Sequence, residues 1–291
     1  MSTTVSRLVE ALRRRLPVRL LPLFVRLRVL VAWARPSVRA DARAQMDLLL
    51  GRSNPEADLE VAARAYVEGQ IWRGELRWHP ETIVHQRVVG MEHLLAARDR
   101  GKGVILSFLH HGQYDGLCPS LARLGVVCHM MSYPYMLTGA APRWLQQHVR
   151  VSRMSGGTVV GADIGTTGIV GLLRRGVVLA IASDVPGRSL VRFAGRELLG
   201  SSGAAVAAHA VKAPVVLVTS EVDEQGPFLR VHPPLEPTDF ETPHDLLARM
   251  LEVHERVVVT WPARYDLPLA RWRVPGEAGP EPVGTEQQPL Q

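Results

Sequence analysis

The chain has 291 residues, of which 46% are hydrophobic and 21% are charged. A chain of this length and composition can bury a sizeable core, which excludes wholesale disorder and suits one large domain with or without a helical extension. The formal net charge is +6. The two cysteines, Cys118 and Cys128, lie in an apolar segment without metal-ligand spacing, so we expect buried thiols and no disulfide framework.

Positive charge is concentrated in residues 1–43. This segment holds ten arginines against two acidic residues and is therefore +8, which leaves the rest of the chain at −2. Its apolar residues alternate with arginines, and no uncharged run reaches the ~20 residues that a membrane-spanning helix needs. Pro17 and Pro22 interrupt the segment, so we expect a short helix, a break and a second helix from about Leu23 to Ala34.

A basic amphipathic segment of this kind suits the surface of an anionic membrane. The alternative is a helix that packs on the domain and leaves its arginines in solvent. Nucleic acid is not an expected partner, because aromatic residues are sparse and no nucleic-acid-binding motif follows. No signal peptide is evident, which favours a peripheral location at the cytoplasmic face of the cell membrane.

The rest of the chain alternates helical and strand patterns. Residues 40–79 read as helices with a turn at 53–55, and residues 88–100 read as a strand end followed by a short helix. Later strands are expected at 104–109, 126–131, 158–160, 177–182, 215–220 and, as an edge strand, 228–232, with helices at 142–153, 165–175 and 201–210. This rhythm predicts an α/β fold with a mixed, largely parallel sheet flanked by helices. We expect the chain to divide into a basic membrane-associating segment at 1–43, a main domain at 44–274 and a disordered tail at 275–291.

The strand expected at 104–109 ends in two histidines. His110 and His111 follow the apolar run, and Asp115 lies five residues after His110. The spacing suits a strand, a turn at Gly112 and a helix that begins near Asp115. His110 would then lie at the carboxyl end of a strand, where open α/β sheets bind ligands. An imidazole beside a carboxylate is suited to removing a proton from a hydroxyl near neutral pH.

Asp184 ends the second apolar strand, expected at 177–182. If the two strands lie side by side, Asp184 could hold or polarise His110 or position a substrate; the alternative is a helix or turn cap. A metal is not expected, because the candidate ligands match no zinc spacing. The chain also lacks a phosphate-binding loop and a serine-nucleophile elbow.

The run L-H-H-G-Q-Y-D at 109–115 resembles the first block of the lysophospholipid acyltransferase superfamily, which reads His-four residues-Asp/Glu. It is most similar to the branch that contains the late lipid A acyltransferases and the phosphatidylinositol mannoside acyltransferase, where this block reads His-aromatic-Gly-Asn-Trp-Glu. Gly112 matches that pattern and Asp115 takes the carboxylate position. His111 replaces the usual aromatic residue.

The resemblance extends over roughly residues 85–275. It includes VGMEHLL at 89–95, RGKGVI at 100–105, LLRRG at 172–176, Asp184, FAGR at 193–196, Gly203, APV at 213–215 and a closing segment from Pro262 to RWR at 271–273. It implies a glycerol-3-phosphate acyltransferase-like fold for the main domain. It also implies transfer of a fatty acyl chain from acyl-CoA or acyl carrier protein to a hydroxyl of a lipid or glycolipid, with no cofactor beyond the donor thioester.

The resemblance also implies roles for individual residues. His110 would be the general base, Asp115 would hold its tautomer, and Asp184 would support it from the neighbouring strand. The backbone amides near Gly112 or Gly195 would stabilise the oxyanion. The expected substrate-binding residues are Gly112, Arg150, Arg153, Arg188, Phe193, Gly195 and Arg196.

Two alternatives remain open at this stage. Residues 110–116 also spell the His-His-three residues-Asp-Gly motif of nonribosomal peptide condensation domains, in which His111 would be the base. Those domains are much longer, and nothing after residue 160 resembles them. The second alternative is a non-catalytic lipid-binding relative that keeps the fold, although the intact His/Asp pair favours an enzyme.

Overall fold

A seven-stranded sheet forms the centre of the structure, a computed structural model that describes residues 11 and 13–276. The strands are β1 (Arg87–Val89), β2 (Val104–Phe108), β3 (His129–Ser132), β4 (Val159–Gly161), β5 (Val178–Ala182), β6 (Pro186–Phe193), β7 (Arg196–Gly200), β8 (Val215–Asp223) and β9 (Gly226–Val231). In the large sheet the order is β1-β9-β8-β2-β5-β3-β4, and every pair is parallel except β8 with β9. Strands β6 and β7 form a separate antiparallel hairpin. The α/β prediction is confirmed.

Helices cover both faces of the large sheet. They are α1 (Leu21–Trp33), α2 (Pro36–Leu50), α3 (Leu59–Leu76), α4 (Met91–Asp99), α5 (Leu117–Ala122), α6 (Arg143–Arg153), α7 (Gly165–Arg174), α8 (Gly203–Val211), α9 (Pro243–Thr260) and α10 (Pro268–Arg271). Two large apolar clusters form the core, one with Ile105 of β2 and one with Leu106 of the same strand. Successive residues of a strand point to opposite faces, so these clusters lie on the two sides of the sheet.

Strands β2 and β5 lie side by side in the middle of the sheet and are buried at every residue. Mostly apolar strands of this kind, here with Ser107 as the one polar residue, are typical of parallel strands that are covered on both faces. In their register Phe108 pairs with Ala182. His110 and Asp184 each lie two residues beyond these partners, so the register brings them to the same edge of the sheet.

Helix α1 buries one face in the main core and exposes the other. Its buried residues are Leu21, Val25, Val29 and Ala32. Pro22 lies in the first turn, where its missing amide donor is tolerated, so it begins this helix rather than breaking it. The residues facing away from the core include Leu23, Leu27, Leu30 and Val31, all more than half exposed. Within the described part of the chain, no helix is long and apolar enough to cross a membrane.

Several sequence expectations need correction. Strand β9 lies between β1 and β8 and is therefore not an edge strand. The β6–β7 hairpin and helix α9 were not expected. Helix α1 packs against α3 and contributes Val25 and Val29 to the larger core cluster. The predicted disordered tail lies outside the described residues from position 277 onward.

Candidate active site

His110 and Asp184 form a directly hydrogen-bonded pair at the carboxyl ends of β2 and β5. The ring Nδ1 of His110 lies 2.8 Å from Asp184 Oδ1, and the backbone amide of His110 donates to Oδ2 at 2.9 Å. The Asp184 side chain is fully buried, whereas that of His110 keeps 15% of its surface exposed. Two bonds to one carboxylate fix both the position and the rotation of the imidazole.

The charge state of this pair suits a base. Burial and the nearby Arg271 cation lower the pKa of His110 below its ordinary value, which outweighs the opposing effect of Asp184. Burial would raise the pKa of Asp184, but its contacts with His110 and the charge of Arg271 lower it overall. An ionised Asp184 accepts a hydrogen bond from Nδ1–H. The second ring nitrogen, Nε2, is then unprotonated and carries a free lone pair.

Asp115 does not hold His110, contrary to the expectation from the motif. Its Oδ1 accepts hydrogen bonds from Arg77 Nε at 3.0 Å and from Nδ1 of His148. Burial opposes ionisation, but Arg77 and His148 lower the pKa of Asp115 well below its ordinary value. The five-residue spacing allows this difference because the turn at Gly112 and the 3-10 helix from Tyr114 to Gly116 carry Asp115 toward α3 and α6.

A second buried carboxylate, Asp266, links the site to the C-terminal segment. Its backbone amide donates to the His110 carbonyl oxygen at 2.8 Å. Its side chain accepts from Arg73 at 2.9 Å, from the Tyr114 hydroxyl at 2.6 Å and from Arg271 at 3.1 Å. Burial would raise the pKa of Asp266, but the arginines lower it well below its ordinary value. This carboxylate therefore stays ionised and holds its partners in place.

His111 points to a different environment. Its Nε2 lies 2.9 Å from the carbonyl oxygen of Trp261, and burial lowers its pKa to about 3. Since a carbonyl oxygen can only accept, Nε2 must carry the proton. His111 does not line the cavity described below, which argues against the condensation-domain alternative.

A largely apolar cavity of about 250 Å³ opens beside His110. Its apolar wall includes Met130, Met131, Met136, Trp144, Leu145 and Ile181. Its polar lining includes His110, Arg77, Tyr114, His148 and Arg271. An imidazole with a free lone pair at the wall of an apolar cavity can deprotonate a hydroxyl and hold an apolar chain close to it.

The residues expected to bind substrate lie elsewhere. None of the set lines this cavity: Gly112, Arg150, Arg153, Arg188, Phe193, Gly195 and Arg196. Arg150, Arg153 and Arg188 are exposed, on α6 and β6. Phe193 is fully buried and stacks on Trp272 at 4.9 Å between ring centroids, so it belongs to the core.

Arg196 is anchored on α2, where its guanidinium lies 3.0 Å from Asp47 Oδ2. The two glycines expected to offer oxyanion-binding amides have other partners. The amide of Gly112 donates to the Arg264 carbonyl oxygen at 3.0 Å, and that of Gly195 faces the Glu255 carboxylate, where burial raises the pKa and this amide lowers it.

Gly112 instead has a backbone role. Its φ is +67°, a region that L side chains rarely adopt, and a Cβ there would lie 2.1 Å from Ser220 Oγ. The turn that separates His110 from Asp115 therefore depends on a glycine.

Sequence reasoning assigned no role to Arg77, His148 and Arg271 of the cavity lining or to the buried carboxylate Asp266, whose hydrogen-bond network with Arg73, Tyr114 and Arg271 we call the Asp266 hub. Arg271 belongs to the closing segment of the family resemblance, which assigns it no role. The others carry no local signal, because each comes from a different element and meets its partners only in the folded chain. In the described part of the chain, no group of three His, Cys, Asp or Glu side chains could hold a metal ion.

Comparison with known proteins identifies the family. Residues 10–274 match the family described as bacterial lipid A biosynthesis acyltransferase. No curated protein sequence matches this chain. A solved structure, the 1-acyl-sn-glycerophosphate (LPA) acyltransferase PlsC from Thermotoga maritima, aligns with 16% identity and a TM-score of 0.43, covering 84% of this chain and 97% of that one. The match over residues 10–274 spans most of the chain, which therefore belongs to the bacterial lipid A biosynthesis acyltransferase family and is an acyltransferase.

Proposed function

We propose that this acyltransferase moves a fatty acyl chain from an acyl-CoA or acyl carrier protein thioester to a hydroxyl of a lipid or glycolipid acceptor. The observation that carries the proposal is the His110–Asp184 pair at the wall of the apolar cavity. Its free Nε2 lone pair suits removal of a hydroxyl proton, and the cavity suits an acyl chain.

The reaction proceeds by direct transfer. Nε2 of His110 takes the proton of the acceptor hydroxyl while the oxygen attacks the thioester carbonyl carbon. The carbonyl π electrons move onto oxygen and form a tetrahedral oxyanion. When the C–S bond breaks, the imidazolium returns its proton to the leaving thiolate, and the products are an ester and a free thiol. Asp184 stabilises the imidazolium while it exists.

The methionine-rich wall supports an acyl chain as the occupant. Met130, Met131 and Met136 line the cavity together with aromatic and aliphatic residues. Methionine side chains are flexible and polarisable, so they can pack against a chain whose conformation varies. The reacting carbonyl would lie at the polar end beside His110, and the hydrocarbon would lie against this wall.

Helix α1 supports contact with a membrane surface. Leu23 is 68% exposed, and Leu27 and Leu30 are each 58% exposed. Arg26 lies in the same exposed stretch, and the segment before it carries further arginines. Exposed leucines beside arginines suit the interface of an anionic membrane, where an amphiphilic acceptor would also reside. We place the enzyme at the cytoplasmic face as a peripheral protein.

The test follows a radiolabelled palmitoyl chain from palmitoyl-CoA, and in parallel from palmitoyl-acyl carrier protein, into a lipid extract. We expect a labelled ester product with the wild type and with His244→Ala, since His244 is exposed at the start of α9 and does not line the cavity. His110→Ala should form product ~10²–10⁴-fold more slowly. Lipid binding without labelled ester in any variant would instead favour a non-catalytic relative.

A further inference from the structure

The proposed transfer places negative charge on the thioester carbonyl oxygen, and a site for this reaction needs donors directed at that oxygen. Three backbone amides of the loop after β2 already have acceptors. The amides of His110, His111 and Gly112 donate to a carboxylate and to two carbonyl oxygens. These three amides are therefore not free to bind the oxyanion, and the side chains that line the cavity are the next candidates.

Two guanidinium groups line the cavity, and both lie near the Asp266 carboxylate. Arg77 donates to Asp115 and to the Tyr114 hydroxyl, and it lies 3.8 Å from Asp266 Oδ2. Arg271 makes two hydrogen bonds to Asp266 and lines the same cavity as His110. Its charge also lowers the pKa of both His110 and Asp184.

The position of Arg271 is tightly determined. Its Nε donates to the Asp266 carbonyl oxygen at 3.1 Å, and a terminal nitrogen donates to Asp266 Oδ2 at 3.1 Å. Asp266 in turn donates its backbone amide to the carbonyl oxygen of His110. Asp266 thus connects the Arg271 guanidinium to the loop that carries His110. A donor held in this way needs no reorganisation during the reaction.

The backbone next to this arginine is also strained. Leu267 has a φ of +50°, in the left-handed region that is uncommon for a residue with a side chain. It precedes α10, the short helix that ends at Arg271 and returns the chain to the cavity. Strain of about 1 kcal/mol persists where the surrounding structure demands it, and it often marks a functional position.

We propose that Arg271 is a catalytic residue that stabilises the oxyanion formed on the thioester carbonyl during acyl transfer. This proposal rests on the proposed function, since it requires a thioester carbonyl beside His110. Arg271 is only 7% exposed, so little water screens its charge. The same interaction is weaker with the neutral carbonyl than with the oxyanion, which makes Arg271 a determinant of kcat rather than of donor affinity.

The test compares Arg271→Met and Arg271→Lys with a matched control, Arg273→Met. The control removes the same charge from a side chain two residues further along the chain, which does not line the cavity. Thiol release from palmitoyl-CoA with a lipid extract gives kcat and KM. Inhibition by the trifluoromethyl ketone analogue of palmitoyl-CoA reports oxyanion binding. The oxygen of an alcohol or water adds to its carbonyl carbon while His110 takes the proton, and the carbonyl oxygen becomes a tetrahedral oxyanion.

For Arg271→Met we expect kcat to fall by ~10²–10³ with KM for the donor changed less than ~3-fold. Inhibition by the analogue should weaken by a factor similar to the loss in kcat. Arg271→Lys keeps a charge but not the fork geometry, so it should retain more activity than Arg271→Met. Arg273→Met should behave like the wild type.

Four results would overturn the proposal. One is a kcat for Arg271→Met within ~3-fold of the wild type. Another is a large loss of kcat with unchanged affinity for the analogue, which would mean that Arg271 only supports the structure. If Arg271→Met does not fold, Arg271→Lys decides the question. A loss of kcat in Arg271→Lys with unchanged affinity for the analogue would likewise mean that Arg271 only supports the structure. A wild type that releases no thiol from either donor would remove the proposed function together with this inference.

Discussion

Asp184 accepts hydrogen bonds from both the backbone amide and the ring of His110, and these bonds select the tautomer that leaves Nε2 unprotonated. Asp184→Asn keeps the size of the side chain but offers an amide in place of a carboxylate oxygen. The imidazole would then favour the wrong tautomer, and the comparable change in a serine protease lowers kcat by about 10⁴. We expect a loss of ~10³–10⁴ in kcat for thiol release.

Asp115→Asn is the matched control, because the same change removes a carboxylate that contacts Arg77 and His148 instead of His110. Its effect on kcat should be smaller than that of Asp184→Asn, and its effect on thermal stability should be at least as large. A greater loss of kcat in Asp115→Asn than in Asp184→Asn would show that Asp115, and not Asp184, supports the His110 imidazole.

Among the secondary-structure elements, helix α1 has one face buried in the core and the opposite face exposed to solvent. Leu23→Asp with Leu27→Asp places two charges on the exposed face and leaves the buried face intact. A fully buried leucine contributes about 1.5–3 kcal/mol, so losing two partly inserted ones should weaken vesicle binding by ~10-fold or more. Sedimentation with phosphatidylglycerol vesicles measures this binding.

Val61→Asp serves as the comparison for this experiment. Val61 is 65% exposed on α3, so the change adds a similar charge to a different helix. It should leave vesicle binding unchanged. Equal binding by the double α1 variant and the wild type, or an equal loss in Val61→Asp, would show that α1 is not the membrane contact.

The central strands were predictable, and the hairpin was not. Strands β2 and β5 are mostly apolar, and His110 and Asp184 each follow two residues after the strand ends, so the sequence made both residues candidates for one rim of a parallel sheet. In β6 the exposed residues Arg188, Leu190 and Arg192 alternate with less exposed ones, and this strand was not predicted. The FAGR segment lies at its turn and packs on α2, so its match to the family pattern did not indicate contact with substrate.

For the whole molecule, one buried carboxylate joins segments far apart in the chain. Asp266 contacts Arg73 of α3, Tyr114 of the His110 loop and Arg271 of α10. The prediction that Asp115 holds the tautomer of His110 was wrong because residues far away in the chain bind Asp115 instead. These are Arg77 and His148, and their positions depend on the packing of α3 and α6 rather than on the local spacing.

Asp266→Asn should therefore destabilise the fold in a pH-dependent way. Removing one partner of a buried charge network costs about 3–5 kcal/mol. The arginines lower the folded-state pKa of Asp266, so its stabilisation is present above the unfolded-state pKa of about 3.9 and is lost as the pH falls below it. Urea unfolding from pH 7 to pH 3 should show a large gap to the wild type at pH 7 that narrows below about pH 4.

The exposed Asp239→Asn is the control for this series and should follow the wild type at every pH. A constant gap between Asp266→Asn and the wild type across the pH range would mean that the carboxylate charge is not what stabilises the hub. No gap at pH 7 would mean that the hub contributes nothing measurable.

The most direct test of the account compares neighbouring histidines that the structure assigns to different environments. Thiol release from palmitoyl-CoA with a lipid extract is measured for the wild type, His110→Ala and His111→Gln, in which glutamine can still donate to the Trp261 carbonyl. We predict that kcat falls by ~10²–10⁴ in His110→Ala and stays within ~3-fold of the wild type in His111→Gln. Retained activity in His110→Ala with loss in His111→Gln would contradict the assignment of His110 as the base.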